Sequence, residues 1–268
     1  MKDKSAVLKK IAFFTLIMAI ICLIYMVVSN LVYQKSRIVI DLDTMELVQL
    51  NEPKADDTVA VIDTSLGEVK AVLYPQYAPN AVKNFIDLAE SGYYDNTYVF
   101  HSENGLYSAA GSPDKSGILP DGYNKSCELI KREVHQNLWP FKGALCCLST
   151  AFEQTFWQRF TGNGTYYCGS RFALLNSIEM TDEISKQIRE QCGSEELTKA
   201  FAEKGGVPDF SQKIVIIGQA YEGLDVIEAL STLETTETDG ASKTPVDDVM
   251  INSVKITTYA EAEADTKQ

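Results

Sequence analysis

Chemistry-bearing residues are scarce in this sequence. Only two histidines, His101 and His135, occur in 268 residues. No two cysteines have C-x-x-C spacing, which argues against a zinc site. Basic residues are outnumbered, 24 Lys and Arg against 37 Asp and Glu. Of the net −13, the first ten residues contribute +3, so the other 258 sum to −16. A surface of that sign repels phosphate backbones, and no nucleic-acid partner is expected. There is no internal repeat. The stretch YYDNTYVFHSENGLYSAAGSP, Tyr93 to Pro113, has the aromatic and small residues of a site wall, yet lacks an evident nucleophile, metal ligand or strong cation. No metal or cofactor is expected.

What is present is ordinary for a globular chain, with 45% hydrophobic and 23% charged residues. The exception is Ile11–Val28, IAFFTLIMAIICLIYMVV, an uncharged run whose apolar character continues through Tyr33. A helix of about 20 such residues crosses a bilayer core. No A-x-A-like site comes after it, and Ile21 is bulky where a lipoprotein has a small residue before its cysteine, so residues 11–33 read as an uncleaved transmembrane anchor. Four lysines before it, against Lys35 and Arg37 after it, predict a cytoplasmic N-terminus and an outer domain in a single-pass cell-membrane protein. The other cysteines are Cys127, Cys146, Cys147, Cys168 and Cys192. One disulfide among them is compatible with an oxidising compartment, as are buried free thiols. Cys146 and Cys147, being adjacent, face opposite sides of any strand.

Residues 34–57 read as a juxtamembrane linker, with a short strand at most. TVAVIDTSLGEVKAVLY is two β-rich runs around Ser65–Leu66–Gly67, a hairpin signal. Pro79 suits a first helical turn, Val82, Phe85, Ile86 and Ala89 recur at helical spacing, and Gly92 fits the stop. TYVFH, GLYSAAG, GALCCLST, RFALLNS, KIVIIGQAY and VMINSVKITTY read as strands. Residues 178–204 read as an insert of two helices split at Cys192–Gly193–Ser194, and GLDVIEALSTL as a short amphipathic helix. The loop ETTETDGASKTPVDD and the tail 259–268 are polar and expected to be mobile. Many short strands with few helices predict a mainly β antiparallel barrel or sandwich.

The order of these motifs resembles the cyclophilin family. TSLGEVKAVLY, AP-x-AV-x-NF in 78–85, GYYDNTYVFH in 92–101, GALCCLST in 143–150, CGSRFALLN in 168–176 and IGQAYEGLDVIEAL in 217–230 carry the resemblance over residues 58–258. It implies a closed eight-stranded antiparallel barrel capped by helices, and peptidyl-prolyl cis-trans isomerase activity. That reaction rotates a bond whose barrier, near 20 kcal/mol, comes from amide resonance. A donor directed at the prolyl nitrogen and an apolar pocket for the ring are sufficient, with no covalent step.

Carried over by position, the implied groove contains Phe100, His101, Ser102, Leu106, Tyr107, Ala109, Leu148, Phe172, Ala173, Asp209 and Ile214. Ser102 stands where the family's donor arginine comes directly after the Phe-His pair. Leu106 and Tyr107 replace a Phe and a Met, Ala109 a Gln, Ala173 an aromatic, Asp209 a Trp and Ile214 a His. Arg171, where the family has a glutamine, is the candidate replacement cation; solvent exposure or a carboxylate partner is the competing reading. His101 is expected to be a hydrogen-bonded structural residue, and His135 to have no partner. Trp139, Pro140 and Phe141 are expected under the barrel. Trp157, Phe160, Tyr166 and Tyr167 cluster in a loop that either grips peptide or closes the barrel end.

These readings converge on a membrane-tethered, extracytoplasmic cyclophilin-type isomerase or folding factor of weak or lost turnover, serving proline-containing or extended segments of exported bacterial proteins. Two alternatives stand beside it: a non-catalytic peptide-binding module or holdase, and a structural subunit of a membrane complex docking through the insert, whose default role is to shield one barrel end.

Overall fold

The computed structural model describes residues 2–36, 38–117, 130–151, 166–237 and 243–265. The chain divides into two units, residues 1–38 with 151–165, and residues 39–150 with 166–268. The first contains helix α1, Lys2–Ser36. Its segment Lys9–Leu31, 23 residues of mean hydropathy 2.9 with no buried side chains, is the one described helix long and apolar enough to cross a membrane. Length and composition suit an anchor or a signal sequence.

The second unit is a barrel. Its strands are β1 Thr58–Thr64, β2 Gly67–Leu73, β3 Thr97–Glu103, β4 Tyr107–Ser112, β5 Ile130–Lys131, β6 Ala144–Ala151, β7 Tyr166–Leu175, β8 Val215–Glu222, β9 Thr235–Glu237, β10 Lys243–Pro245 and β11 Met250–Thr258. The sheet runs β4-β3-β11-β1-β2-β8-β6-β7, and pairing of β4 with β7 closes the ring of eight; β5 adds to β7, and β9 with β10 makes a separate ribbon. Every described register is antiparallel.

Local sequence explains the elements. Thr64 and Gly67 pair across the expected hairpin, with the Thr64 hydroxyl donating to the Gly67 carbonyl at 2.7 Å. Helix α2, Pro79–Glu90, starts at its proline and buries Ala81, Val82, Phe85, Leu88 and Ala89. The Glu133 carboxylate satisfies its open N-terminus, accepting from the Asn80 and Ala81 amides at 3.0 and 2.9 Å. Phe85, Tyr94 and Phe172 meet in the barrel core at centroid separations of 5.2 to 5.7 Å. Helix α5, Leu224–Ser231, adds Ile227 and Leu230 to the same cluster. Phe172, counted with the groove by motif position, belongs to this interior instead.

The insert forms helices α3, Asp182–Cys192, and α4, Glu195–Lys204, capped by Thr181 and Ser194 and separated by Gly193 at φ 66°. Trp139 and Phe141, expected under the barrel, pack against the insert. They form a separate cluster with Leu47, Ile188, Leu197, Ala200 and Phe201, and the Phe141 and Phe201 rings sit 4.7 Å apart.

Three stretches expected to be linker or mobile are built into the domain. Leu47 and Gln49 in the juxtamembrane segment are buried, the latter in the 3-10 turn Val48–Leu50. Gln49 accepts from the Trp139 amide at 2.6 Å and donates to the Trp139 carbonyl at 2.9 Å. The tail folds as α6, Tyr259–Asp265, with Ala262 buried; the Tyr259 and Ala260 amides donate to the carbonyls of Asp57 and Ala55. The polar loop contributes β9 and β10, with 238–242 outside the described residues. In each case long-range partners supplied order that local polarity does not reveal. Cys22, Cys146, Cys147 and Cys168 are free thiols; Cys147 and Cys168 face the core and Cys146 the opposite side. Burial pushes the Cys146 thiol far up. Cys127, Trp157 and Phe160 lie outside the described residues.

Candidate functional site

The outer face of β3, β4 and β7 is organised in rows by strand register. His101 stands opposite Ala109, and Ala109 opposite Ala173. One step along the same face come Glu103, Tyr107 and Leu175. In the other direction, two residues from Ala173 on β7, comes Arg171. The side-chain period of two puts all of these on one face. From Leu175 to Arg171 the face runs about 13 Å, four residues at about 3.3 Å each.

At one end sits the Arg171 guanidinium. Its Nη1 donates to the Gly117 carbonyl at 2.5 Å and its Nη2 to Thr150 Oγ1 at 2.6 Å. Its carbon lies 6.0 Å from the Phe100 ring centroid, within cation–π range. Thr150 and Leu148 are half-buried on β6 and share one face of it by alternation. Gly117, at φ +64°, lies flat against Phe100, and a Cβ there would fall 2.2 Å from the ring.

At the other end the Tyr107 ring stacks on His101 at 5.3 Å and meets the edge of Phe210 at 6.0 Å. Burial, then the Glu103 charge, pushes the Tyr107 phenol up. His101 is not isolated. Its Nδ1 accepts from the Lys243 amide at 3.2 Å, so the neutral ring carries its proton on Nε2, 3.3 Å from Glu103 Oε2. Burial holds the imidazole below its ordinary pKa despite that carboxylate. The Lys243 ammonium pairs with Glu103 and holds its carboxyl down. Between the two ends the floor is Ala109 and Ala173, 1% and 2% exposed.

The structure therefore brings together Phe100, His101, Tyr107, Ala109, Ala173 and Arg171, with Ile214 packed in the same apolar cluster as Tyr107 and Phe210. Leu106 occupies the turn entering β4, its carbonyl accepting from the Asn176 amide. Two expected groove residues are elsewhere besides Phe172. Asp209 is exposed, in the 3-10 turn Pro208–Phe210. Its neighbour Phe210 supplies the ring, a residue that position-counting missed by one. Ser102 points inward and is 1% exposed, its hydroxyl donating to the Leu230 carbonyl at 2.9 Å. The cause is a β-bulge: Val99 pairs with Ala110 and His101 with Ala109, leaving Phe100 as an extra residue that reverses the facing of the rest of the strand.

His135, expected to lack partners, packs its ring 4.7 Å from Tyr77 and accepts from the Asn137 amide at 3.2 Å. Tyr166 opens β7 under the Arg132 guanidinium, 4.9 Å from its ring. Among the described residues, no group of three or more His, Cys, Asp or Glu side chains is placed to hold a metal ion.

Residues 59–161 match the family described as cyclophilin type peptidyl-prolyl cis-trans isomerase/CLD. A Staphylococcus haemolyticus protein named "Putative peptidyl-prolyl cis-trans isomerase" is 28% identical over 210 residues, 78% of this chain and 96% of that protein. A Staphylococcus saprophyticus protein of the same name is 26% identical over 209 residues, with the same coverage. Among solved structures, a cyclophilin type peptidyl-prolyl cis-trans isomerase of Cryptosporidium parvum, crystallised in the presence of the dipeptide Ala-Pro, superposes with a TM-score of 0.52 at 22% identity. It covers 75% of this chain and 99% of its own.

Proposed function

We propose, on the premise that this chain belongs to the cyclophilin-type peptidyl-prolyl isomerase family, that its barrel rotates prolyl bonds in extended peptide segments with Arg171 as the relocated donor. The observation carrying this reading is the guanidinium held on the same outer face as the Ala109–Ala173 floor, beside Phe100. A fixed cation aimed at the prolyl nitrogen weakens amide resonance, while Tyr107, Phe210 and the alanines offer the ring an apolar seat. A single cation without the family's full pocket supports slow turnover. The substrates in this reading are proline-containing segments of exported proteins, and α1 anchors the domain on the outer side of the cell membrane. The lysines before the apolar stretch support that orientation.

The test is the cis-to-trans rate of a proline tetrapeptide with the full chain in detergent micelles. Wild type accelerates the rate above background and Arg171→Ala abolishes the acceleration. Equal rates for the two reject Arg171 as the donor. No acceleration by wild type rejects turnover and leaves a peptide-binding module, the reading favoured by the inward-turned Ser102. For orientation, a cell-impermeant protease applied to intact cells degrades residues beyond 37 if the domain is outside; full protection rejects that topology.

A further inference from the structure

Arginine is a flexible side chain with roughly 2 kcal/mol of rotamer entropy, and a donor that wanders contributes little to a transition state. Here its two terminal nitrogens are engaged in different directions. Nη1 reaches the Gly117 carbonyl beyond the end of β4 and Nη2 reaches Thr150 Oγ1 on β6, at 2.5 and 2.6 Å. Two acceptors on separate segments fix both the position of a planar fork and its rotation, and Phe100 covers one side. Thr150 suits this task because its branched Cβ restricts χ1. It also lies past the four β6 residues, Ala144 to Cys147, that ladder with β8.

We propose that Thr150 is a positioning residue: with the Gly117 carbonyl it clamps the Arg171 guanidinium in the orientation needed for prolyl rotation. The inference rests on the reading of Arg171 as donor. It concerns how the donor is oriented, so the loss of Thr150 acts on kcat rather than on peptide binding.

The experiment measures kcat and KM of the full chain in micelles for Thr150→Val, Thr150→Ala and Thr150→Ser, alone and with Arg171→Ala. Removing the acceptor, in the Val and Ala variants alike, lowers kcat about tenfold with KM changed less than about twofold. Thr150→Ser, which keeps the acceptor, restores most of the rate. Thr150→Val combined with Arg171→Ala is no slower than Arg171→Ala alone, because the clamp has nothing left to hold. A Thr150→Val chain as fast as wild type, beside a slow Arg171→Ala chain, overturns the clamp and leaves the donor standing. A loss of thermal stability with unchanged rate per folded molecule also overturns it, showing a purely structural tie. A wild-type chain without any rate overturns the donor reading and the clamp together.

Discussion

Ser102 donates its hydroxyl proton to the Leu230 carbonyl at 2.9 Å, from the position where the family resemblance called for an outward-facing cation. The contact joins the interior side of β3 to the last turn of α5, where carbonyls lack helical partners. The absent arginine is thus more than a missing side chain, because the backbone at that position faces inward.

Restoring the residue therefore fails to restore the chemistry. Ser102→Arg forces a guanidinium against Leu230 in the core, at a cost above about 4 kcal/mol, and does not raise the isomerisation rate of whatever folds. Ser102→Ala costs about 1 kcal/mol and leaves the rate unchanged. Urea denaturation and the tetrapeptide assay read both. A folded, faster Ser102→Arg chain contradicts the inward placement.

His101 makes stability pH-dependent. The groups facing it are Glu103 on its own strand, Tyr107 on β4 and Lys243 on β10. Burial lowers its pKa from 6.5, so as pH falls the unfolded chain takes up the proton first. The stability linked to this site is full above about 6.5 and is lost as pH falls toward the lowered folded value. Protonation of Nδ1 also removes the acceptor of the Lys243 amide. His135 shifts in the same direction, so the measurement is a difference: thermal midpoints of wild type and His101→Gln between pH 7.5 and 5. The variant shows the flatter profile; parallel profiles refute the assignment.

Phe201 anchors the insert. Its burial against Trp139 and Phe141 predicts a loss of about 3–5 kcal/mol for Phe201→Ala, a midpoint drop of about 10 °C. Deleting residues 178–204 uncovers Trp139 and Phe141, so the deleted chain aggregates or binds a hydrophobic dye. A stable, dye-negative deletion mutant shows the insert to be a detachable appendage.

Gln49 ties the juxtamembrane segment down. Gln49→Ala orphans the Trp139 amide, worth about 1–3 kcal/mol when buried, while the Trp139 carbonyl keeps the Phe141 amide as donor. The neighbouring Leu50→Ala, at a surface position, changes stability by less than about 0.5 kcal/mol. Similar midpoints for the two variants mean that the segment is a loose linker.

The sequence by itself determined the elements and their order. Pro79, the apolar spacing through Ala89, the Ser65–Leu66 turn and the break at Gly193 act within a few residues, where backbone sterics and periodicity decide. The apolar run 11–33 likewise declares a helix fit for lipid by length alone. Side-chain direction at the site was decided only by the tertiary structure. At the bulge in the β3–β4 pairing, one unpaired residue, Phe100, turned Ser102 inward and kept His101 out. The partners of Arg171 come from positions 54 and 21 residues away in sequence, and those of Gln49 from 90 and 170. Contacts at that separation leave no local pattern, because they depend on how the closing barrel brings distant strand ends together.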